Sequence, residues 1–472
     1  MTSLAAKCMR EEPRFYGLEK FNNKIRLSTP VMHGEGFEYA RLVCGENQMT
    51  ANGETIGRLE DIVAGYANVD HAVALSCGTA AIHLAVKLAA KRLYGSSSGV
   101  STPDGLGVGG CLFGKRAFCP ALAPAAAVNP IVYEGGEPVF IDASPDDWGM
   151  DPQALELAFQ KYPDVKLVVF AHLYGFPGQV DKVKQICGEH GALLIEDAAE
   201  SLGAKYKGKA TGSFGDYGIF SFDGNKIITG SSGGMLLTND AHSAAKARKW
   251  AAQSCEDVLW NQHEELVYNY QMSDVIAGLV LGRWGHLERY IAEKKRIYDY
   301  YADRLETLGV ELNPYNAGVS APNYWLSCMC IDDNSLCAME RSDQSYTYRD
   351  EHGRTCPMEV LEALGAFFVE GRPIWKPMHL QPMYRNHEFI SVDGGRRAFD
   401  GCYSRMLGHV DESRDLFGKV ICLPSDIRMT EEEQERVVEI ICACFCGRDF
   451  ERMDAGSGKG KKGDKPFFIG EA

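Results

Sequence analysis

Several things are missing from this sequence, and each absence closes a class of function. No run of ~18 or more apolar residues occurs, so no segment is long enough to cross a bilayer as a helix. An excess of positive charge is missing too: 49 Lys and Arg stand against 64 Asp and Glu in 472 residues, a net charge of −15. Such a chain has no field to gather phosphate backbones, so neither nucleic acid nor an anionic membrane surface is an expected partner. A local basic pocket for one small anion remains compatible with that balance. The 16 cysteines lack the framework spacing of small secreted domains, and the opening MTSLAAKCMREEPRF holds no uninterrupted apolar stretch of a signal peptide. A reducing, cytoplasmic setting is therefore expected. Zinc-site spacing is absent as well. Of Cys442, Cys444 and Cys446 only the first and last share a helix face, no second Cys/His pair follows, and Cys328 and Cys330 read as strand thiols, so no metal is expected. Nor is there a G-x-x-x-x-G-K-[ST] loop or a strand-placed G-x-G-x-x-G.

What is present is ordinary globular composition, 45% hydrophobic and 24% charged, at a length that suggests two or three compact units. From Val69 onward, short β-branched runs alternate with helix-period segments, the pattern of an α/β unit around a mostly parallel wound sheet. Expected strands are His71–Ser76, Pro138–Asp142, Lys166–Ala171, Ala192–Glu196, Tyr217–Phe222 and Gly234–Thr238. A helix over Thr79–Leu93 follows from Ile82, Ala85, Val86 and Ala89 recurring at helical spacing. Gly95–Gly110 reads as a surface loop set into this alternation. Beyond Ser273 the character changes. Met272–Leu308 is expected to be helical for most of its length, with Val275, Ile276, Leu279, Leu287, Tyr290 and Ile291 on one stripe. A strand-like Tyr324–Ile331 and a closing helix Glu431–Phe445 come later. The expected organisation is a large unit over residues 25–290, a smaller α+β unit over 291–450 and a disordered Gly/Lys-rich tail over 451–472.

Three short segments carry chemistry. At Ser76-Cys77-Gly78-Thr79 a small turn leads from a strand into a helix, exposing backbone N–H groups and the positive end of the helix dipole to a single phosphate. Taken alone, an ordinary Thr helix cap explains it as well. The run LLIEDAAE brings Asp197 to the carboxyl end of a strand, where wound sheets bind ligands, although a helix cap has the same look. In SFDGNK, Lys226 follows another strand in a small, enclosed turn, where a lysine can become an amine nucleophile rather than a solvated surface group. A phosphate turn, a strand-end aspartate and a loop lysine together are what a pyridoxal-phosphate site requires: a Schiff-base lysine, a carboxylate keeping the pyridine nitrogen protonated, and a helix terminus for the phosphate.

These segments, SCGTAAIHLA, AHLYGFPGQVD, IEDAAESLGAKYKGKATGSFGDYGIFSFDGNKIITGSSGGML and YNYQMSD, resemble the DegT-like sugar-nucleotide aminotransferases over about residues 25–450. The resemblance implies an α/β fold, the fold type I PLP-dependent transferase, with pyridoxal 5′-phosphate as cofactor. It implies that Lys226 is the catalytic lysine, that Asp197 pairs with the pyridine nitrogen, and that Glu200 lies beside the ring hydroxyl. Gly78, Thr79 and Ser221 match phosphate ligands. Asn269 matches a residue that reaches the phosphate of the neighbouring subunit, which implies a homodimer with shared sites. His172 matches a residue near the ring hydroxyl, with a purely structural role equally open. The segment RPIWKPMHLQP resembles the motif of enzymes that aminate UDP-linked 4-keto-6-deoxy-N-acetylhexosamines with glutamate as donor. There Trp375 would stack, Lys376 would meet a diphosphate and His379 would hydrogen-bond nucleotide or sugar.

Two departures stand out. Ala123-Pro124 occupies the place of a Thr-aromatic pair that stacks on the pyridine ring, and Gln48 stands where relatives often carry Trp. Pro124 covers a ring without stacking as a π-system, which motivates an alternative: a non-catalytic regulator on the same fold that senses pyridoxal phosphate or a sugar nucleotide. Retention of Lys226 argues against it, since binding alone needs no nucleophile. The lysine also argues against the related sugar dehydratases, where a His occupies that position. WKPMHLQP argues against relatives acting on cyclitols and aminobenzoate precursors.

Overall fold

The computed structural model describes residues 15, 17–31, 34–45, 53–95, 110–349, 351–397 and 409–445. Gln48, Cys446, residues 96–109 of the glycine-rich loop and the tail over 451–472 lie outside the described residues.

Seven five-residue strands build the body of the molecule: β1 (His71–Leu75), β2 (Arg116–Pro120), β3 (Glu137–Ile141), β4 (Leu167–Ala171), β5 (Leu193–Asp197), β6 (Tyr217–Ser221) and β7 (Gly234–Thr238). β4, β5 and β6 are buried at every position, as expected of strands covered on both faces. Six of the seven match the expected strands to within one residue at each end, because buried strands read as apolar runs. β2 was not among them: its RAFCP has little β-branched content and ends in proline, so only tertiary packing marks it as a strand.

After the second unit's strands β8 (Val310–Leu312), β9 (Cys328–Ile331) and β10 (Arg372–Pro373), the chain returns with β11 (Glu388–Ser391) and β12 (Gly394–Arg397), and ends its sheets with β13 (Val420–Cys422). The large sheet runs β1-β7-β6-β5-β4-β2-β3-β11-β12, and the small one β8-β9-β13-β10. From β6 to β11 every neighbouring pair is parallel; β7 is antiparallel to both β1 and β6. Residues 388–397 fall within the range expected for the smaller unit, yet they extend the large sheet through the register Phe389↔Phe140. In the other direction, Phe21 and Ile25 pack with Ile297, Tyr301, Ile421 and Val437 around the small sheet.

Met272–Leu308 divides into helices Asp274–Trp284 and Leu287–Leu305, parted at Gly285-His286. The strand expected over Tyr324–Ile331 is shorter, Cys328–Ile331. Tyr324 adopts φ +54°, a left-handed conformation that no strand accommodates. The closing helix is Glu431–Phe445, as expected.

Candidate active site

The carboxyl ends of β4, β5, β6 and β1 lie along one edge of the large sheet. β1 and β6 flank β7, and Leu75, Gly234 and Ser221 form one row across the three. That row brings the turn after β1 against the end of β6. A Cβ on Gly234 would lie 2.4 Å from the Cys77 carbonyl carbon, and a Cβ on Gly78 would lie 2.9 Å from the Ser221 Cβ. Glycine is required at both places by close approach. The helix Gly78–Tyr94 is capped by Cys77, whose sulfur accepts the Ala80 N–H at 3.4 Å. Thr79 is therefore not the cap. Gly78 and Thr79 open the helix, in the turn whose N–H groups have no intrahelical acceptor, with Ser221 alongside.

Asp197 ends β5, buried, and accepts the Ala199 N–H at 3.0 Å. Burial pushes its carboxyl up, while that hydrogen bond and the charge of Lys226 pull it back only in part. Glu200, one turn on, is also raised by burial, against the opposing charge of Lys226. It accepts the Tyr174 N–H at 2.8 Å and the Trp375 indole N–H at 3.2 Å. Lys226 comes from the turn after β6, tied by its own N–H to the Asp223 carbonyl. Its Nζ lies 3.7 Å from Glu200 Oε1 and 4.5 Å from the centre of the Trp325 ring. One largely buried ammonium thus faces two buried carboxylates whose proton affinity is raised for want of enough positive partners.

Trp325 and Tyr174 join this cluster of side chains, and sequence reasoning missed both. The Trp325 indole N–H donates to the Asn225 carbonyl at 2.8 Å, beside Lys226. Tyr174 accepts the Trp375 N–H on its hydroxyl at 2.8 Å. Asn323 joins the two walls: its amide donates to the Glu200 and Leu202 carbonyls, and its oxygen accepts the Trp325 N–H. Behind them Lys294 is wholly buried, and its Nζ donates to Ser28 Oγ at 3.2 Å and to the Trp325 and Ser425 carbonyls at 2.9 Å each. Burial lowers its pKa to about 7. The scarcity of tryptophan, six in the chain, is a signal that could have drawn attention to Trp325.

A model of the DegT/DnrJ/EryC1/StrS aminotransferase family matches residues 31–442. The chain belongs to this family. It is 36% identical over 430 residues, 90% of the chain and 96% of the relative, to the Bacillus subtilis protein EpsN, whose name describes a pyridoxal phosphate-dependent aminotransferase. It is 30% identical over 363 residues, 76% of the chain and 87% of the relative, to a GDP-perosamine synthase of Caulobacter vibrioides. Among solved structures, the fold is similar to DesI, crystallised with its TDP-sugar product, at TM-score 0.72 and 23% identity, covering 94% of this chain and 97% of that one. As a DegT/DnrJ/EryC1/StrS aminotransferase it has the fold type I architecture and uses pyridoxal phosphate. The residues present fit that group. A buried lysine, two buried carboxylates short of positive partners, and a helix start opened by glycine against a serine share one edge of the sheet.

Both candidate histidines are seated on protein groups, and for His172 a structural role is one of its two expected readings. His172, expected near the ring hydroxyl, has both nitrogens committed to protein: Nδ1 accepts the Gly178 N–H at 3.1 Å and Nε2 lies 2.9 Å from Glu196 Oε1. Glu196 also accepts the Gly212, Phe214 and Gly215 N–H groups, so the pair braces the strand ends. His379, expected to bind nucleotide or sugar, is fully buried, stacked on Phe389 at 4.1 Å with Nε2 3.2 Å from Asp411. Its ring packs against β11 of the large sheet. Trp375 stands against Glu200 through its indole N–H. Lys376, next in the chain, pairs with Asp343 at 2.9 Å. Asn269 is exposed, between Tyr268 and Tyr270. Pro124 follows β2 and caps a short turn, half-buried.

Proposed function

We propose that this aminotransferase moves an amino group from glutamate to the 4-keto group of a UDP-linked 4-keto-6-deoxy-N-acetylhexosamine, giving a 4-amino-4,6-dideoxy sugar nucleotide. The observation that carries the transfer is Lys226, held between Glu200 and the Trp325 face beside Asp197. The acceptor class is supported by RPIWKPMHLQP, whose Trp375 stands against Glu200, and by relatives named for work on nucleotide-linked sugars.

When bound, pyridoxal phosphate supplies a ring that stores the electron pair released at the substrate carbon. Lys226 would hold the cofactor and carry the proton between substrate and cofactor from its Nζ. Asp197 would keep the ring nitrogen protonated, and that positive charge would offset the burial that raises its carboxyl. Glu200 would stand beside the ring hydroxyl, fixed by Tyr174 and Trp375. Gly78, Thr79 and Ser221 would hold the phosphate. Asn269 would serve a phosphate held by the partner subunit of a homodimer. Its exposure supports that reading, as does its rigid seat: Tyr268 donates to Glu134 at 2.7 Å, and the Tyr270 hydroxyl lies 3.1 Å from His83. Donor and acceptor would share one pocket, so ping-pong kinetics follow. No described helix is long and apolar enough to cross a membrane. All described cysteines are free thiols, which supports the reducing cytoplasm as the site of action.

The test is an absorbance spectrum of the purified protein, with Lys226→Ala beside it. Glutamate is expected to bleach the yellow band, and a UDP-4-keto-6-deoxy sugar to restore it, with no response in the variant. Restoration by a GDP-linked keto sugar alone would reject the UDP assignment. A colourless protein that cannot be loaded with pyridoxal phosphate would reject the catalytic reading in favour of the regulator.

A further inference from the structure

Lys294 is a buried amine to which the transfer assigns no part, and it shares a cavity with Lys226. The two line one narrow crevice of about 10 Å³ together with Ser28, Ile227, Arg283 and Tyr290. That is about the room a single water needs, with polar partners on several sides. Trp325 holds both lysines at once: its ring centre lies 4.5 Å from Lys226 Nζ, and its carbonyl accepts Lys294 Nζ at 2.9 Å.

The bonds of Lys294 suit two protonation states. Two of its partners, the Trp325 and Ser425 carbonyls, only accept; the third is the Ser28 hydroxyl at 3.2 Å. A hydroxyl accepts from an ammonium and, turned about its C–O bond, donates to a neutral amine. The proton can therefore leave Lys294 without orphaning a buried group. Burial, offset in part by the charge of Asp426, lowers the pKa of Lys294 to about 7. Asp426 is itself bonded by Thr29 and by Arg428 Nη2 at 3.1 Å. The remaining titratable groups around Lys294 do not compete for its proton. Burial pushes Tyr290, Tyr298 and Tyr301, on its own helix, up, and they stay neutral phenols. Arg283, on the helix before, donates to the Thr229 carbonyl at 3.3 Å and stays a guanidinium.

On its other side Lys226 faces Asp197 and Glu200, and its charge acts on both. Two carboxylates favour an ammonium, yet an amine that passes protons must also give its proton up. We infer that Lys294 is the positioning residue that offsets them: while Lys226 stands free of the cofactor, the two amines share one proton across the cavity, and the proton that leaves one nitrogen is held on the other. The inference rests on the reading of Lys226 as the catalytic lysine and deepens it. A like charge close by disfavours the charged form, so charge on Lys294 releases Lys226 as a base, and charge on Lys226 empties Lys294. The pair carries one positive charge in either state.

The test is the pH profile of pyridoxal phosphate uptake by the full chain, followed as growth of the yellow band, in the parent, Lys294→Met and Lys294→Arg. Methionine fixes the position neutral and arginine fixes it charged. The midpoint is expected to move up by about 1 pH unit in the first and down by a similar amount in the second. A purely structural amine would shift both the same way or neither, and either result would overturn the inference. A second measurement needs no substitution at Lys294. Protein isotope-labelled at lysine Cε and loaded with pyridoxamine phosphate, which leaves Lys226 free, is titrated by NMR. Lys226→Met is expected to raise the midpoint of the lysine that titrates near neutrality by about 1 pH unit; an unmoved signal would overturn the inference. A yellow band that forms in Lys226→Met as in the parent would overturn the catalytic reading and the inference with it. A band that needs Lys226 but keeps one pH profile in all the Lys294 variants would overturn the inference alone.

Discussion

Glu134 and the Asp197–Glu200 pair are all buried carboxylates, but their surroundings are opposite. Burial alone would raise Glu134, yet the His83 hydrogen bond and the Lys87 charge, with the Cys111 N–H and Tyr268 hydroxyl, hold it well below the usual carboxylate range. Asp197 and Glu200 share one ammonium and stay raised. Desolvation pushes all three upward; around Glu134 the positive and hydrogen-bonding partners outweigh it, and around Asp197 and Glu200 they do not. A saturated charge is a structural joint, and Glu134 uses its bonds to seat the strip that carries Asn269. A charge left short of partners is a place made for something that brings its own.

The contrast can be broken by replacing one member at a time. Asp197→Asn is expected to lower turnover on the order of 10³-fold, read as glutamate-driven bleaching of the cofactor. In the cofactor-free protein the same change should be stabilising at neutral pH. A carboxylate whose folded pKa is raised weakens the fold as pH rises through that value, so the thermal advantage of the variant should shrink on acidification toward pH ~4. Glu134→Gln should do the reverse: about 3 kcal/mol of stability lost in denaturant titrations, because Lys87 loses its counter-charge and His83 its carboxylate partner. A carboxylate held below its ordinary value stabilises above the unfolded-state pKa and ceases to do so as pH falls through the folded one, so this deficit should close only in strong acid. Trp325→Phe keeps an aromatic face for Lys226 but drops the bond to the Asn225 carbonyl; roughly 10-fold slower turnover is expected, measured at saturating glutamate. His379→Gln should leave the acceptor KM unchanged within about 2-fold, and a larger change would restore it as a substrate ligand.

How much of this was readable beforehand follows from range along the chain. Asp197, Glu200, Ser221 and Lys226 lie within thirty residues and are presented by neighbouring strand ends; local pattern pointed to Asp197 and Lys226, and the family resemblance added Glu200 and Ser221. Trp325, Tyr174 and the Lys376–Asp343 contact arise from packing between segments separated by tens to hundreds of residues, and no periodicity announces them. His172 and His379 show the limit in another way. A histidine's role depends on which groups occupy its two nitrogens, and that is settled by Gly178, Glu196 and Asp411, not by its immediate neighbours. β2 and β11 escaped for the same reason: they are strands because the sheet makes them so.

Lys294 has a consequence for the order in which the enzyme comes into being. Its three bonds reach Ser28, Trp325 and Ser425, so the wall behind Lys226 is tied by a knot whose last strand is made long after the lysine it backs. Lys226 and Asp197 emerge from the ribosome some two hundred residues before Ser425, and the phosphate turn earlier still. Closure of that wall must therefore wait until Ser425 has been made, and a chain halted before it carries Lys226 without its full enclosure.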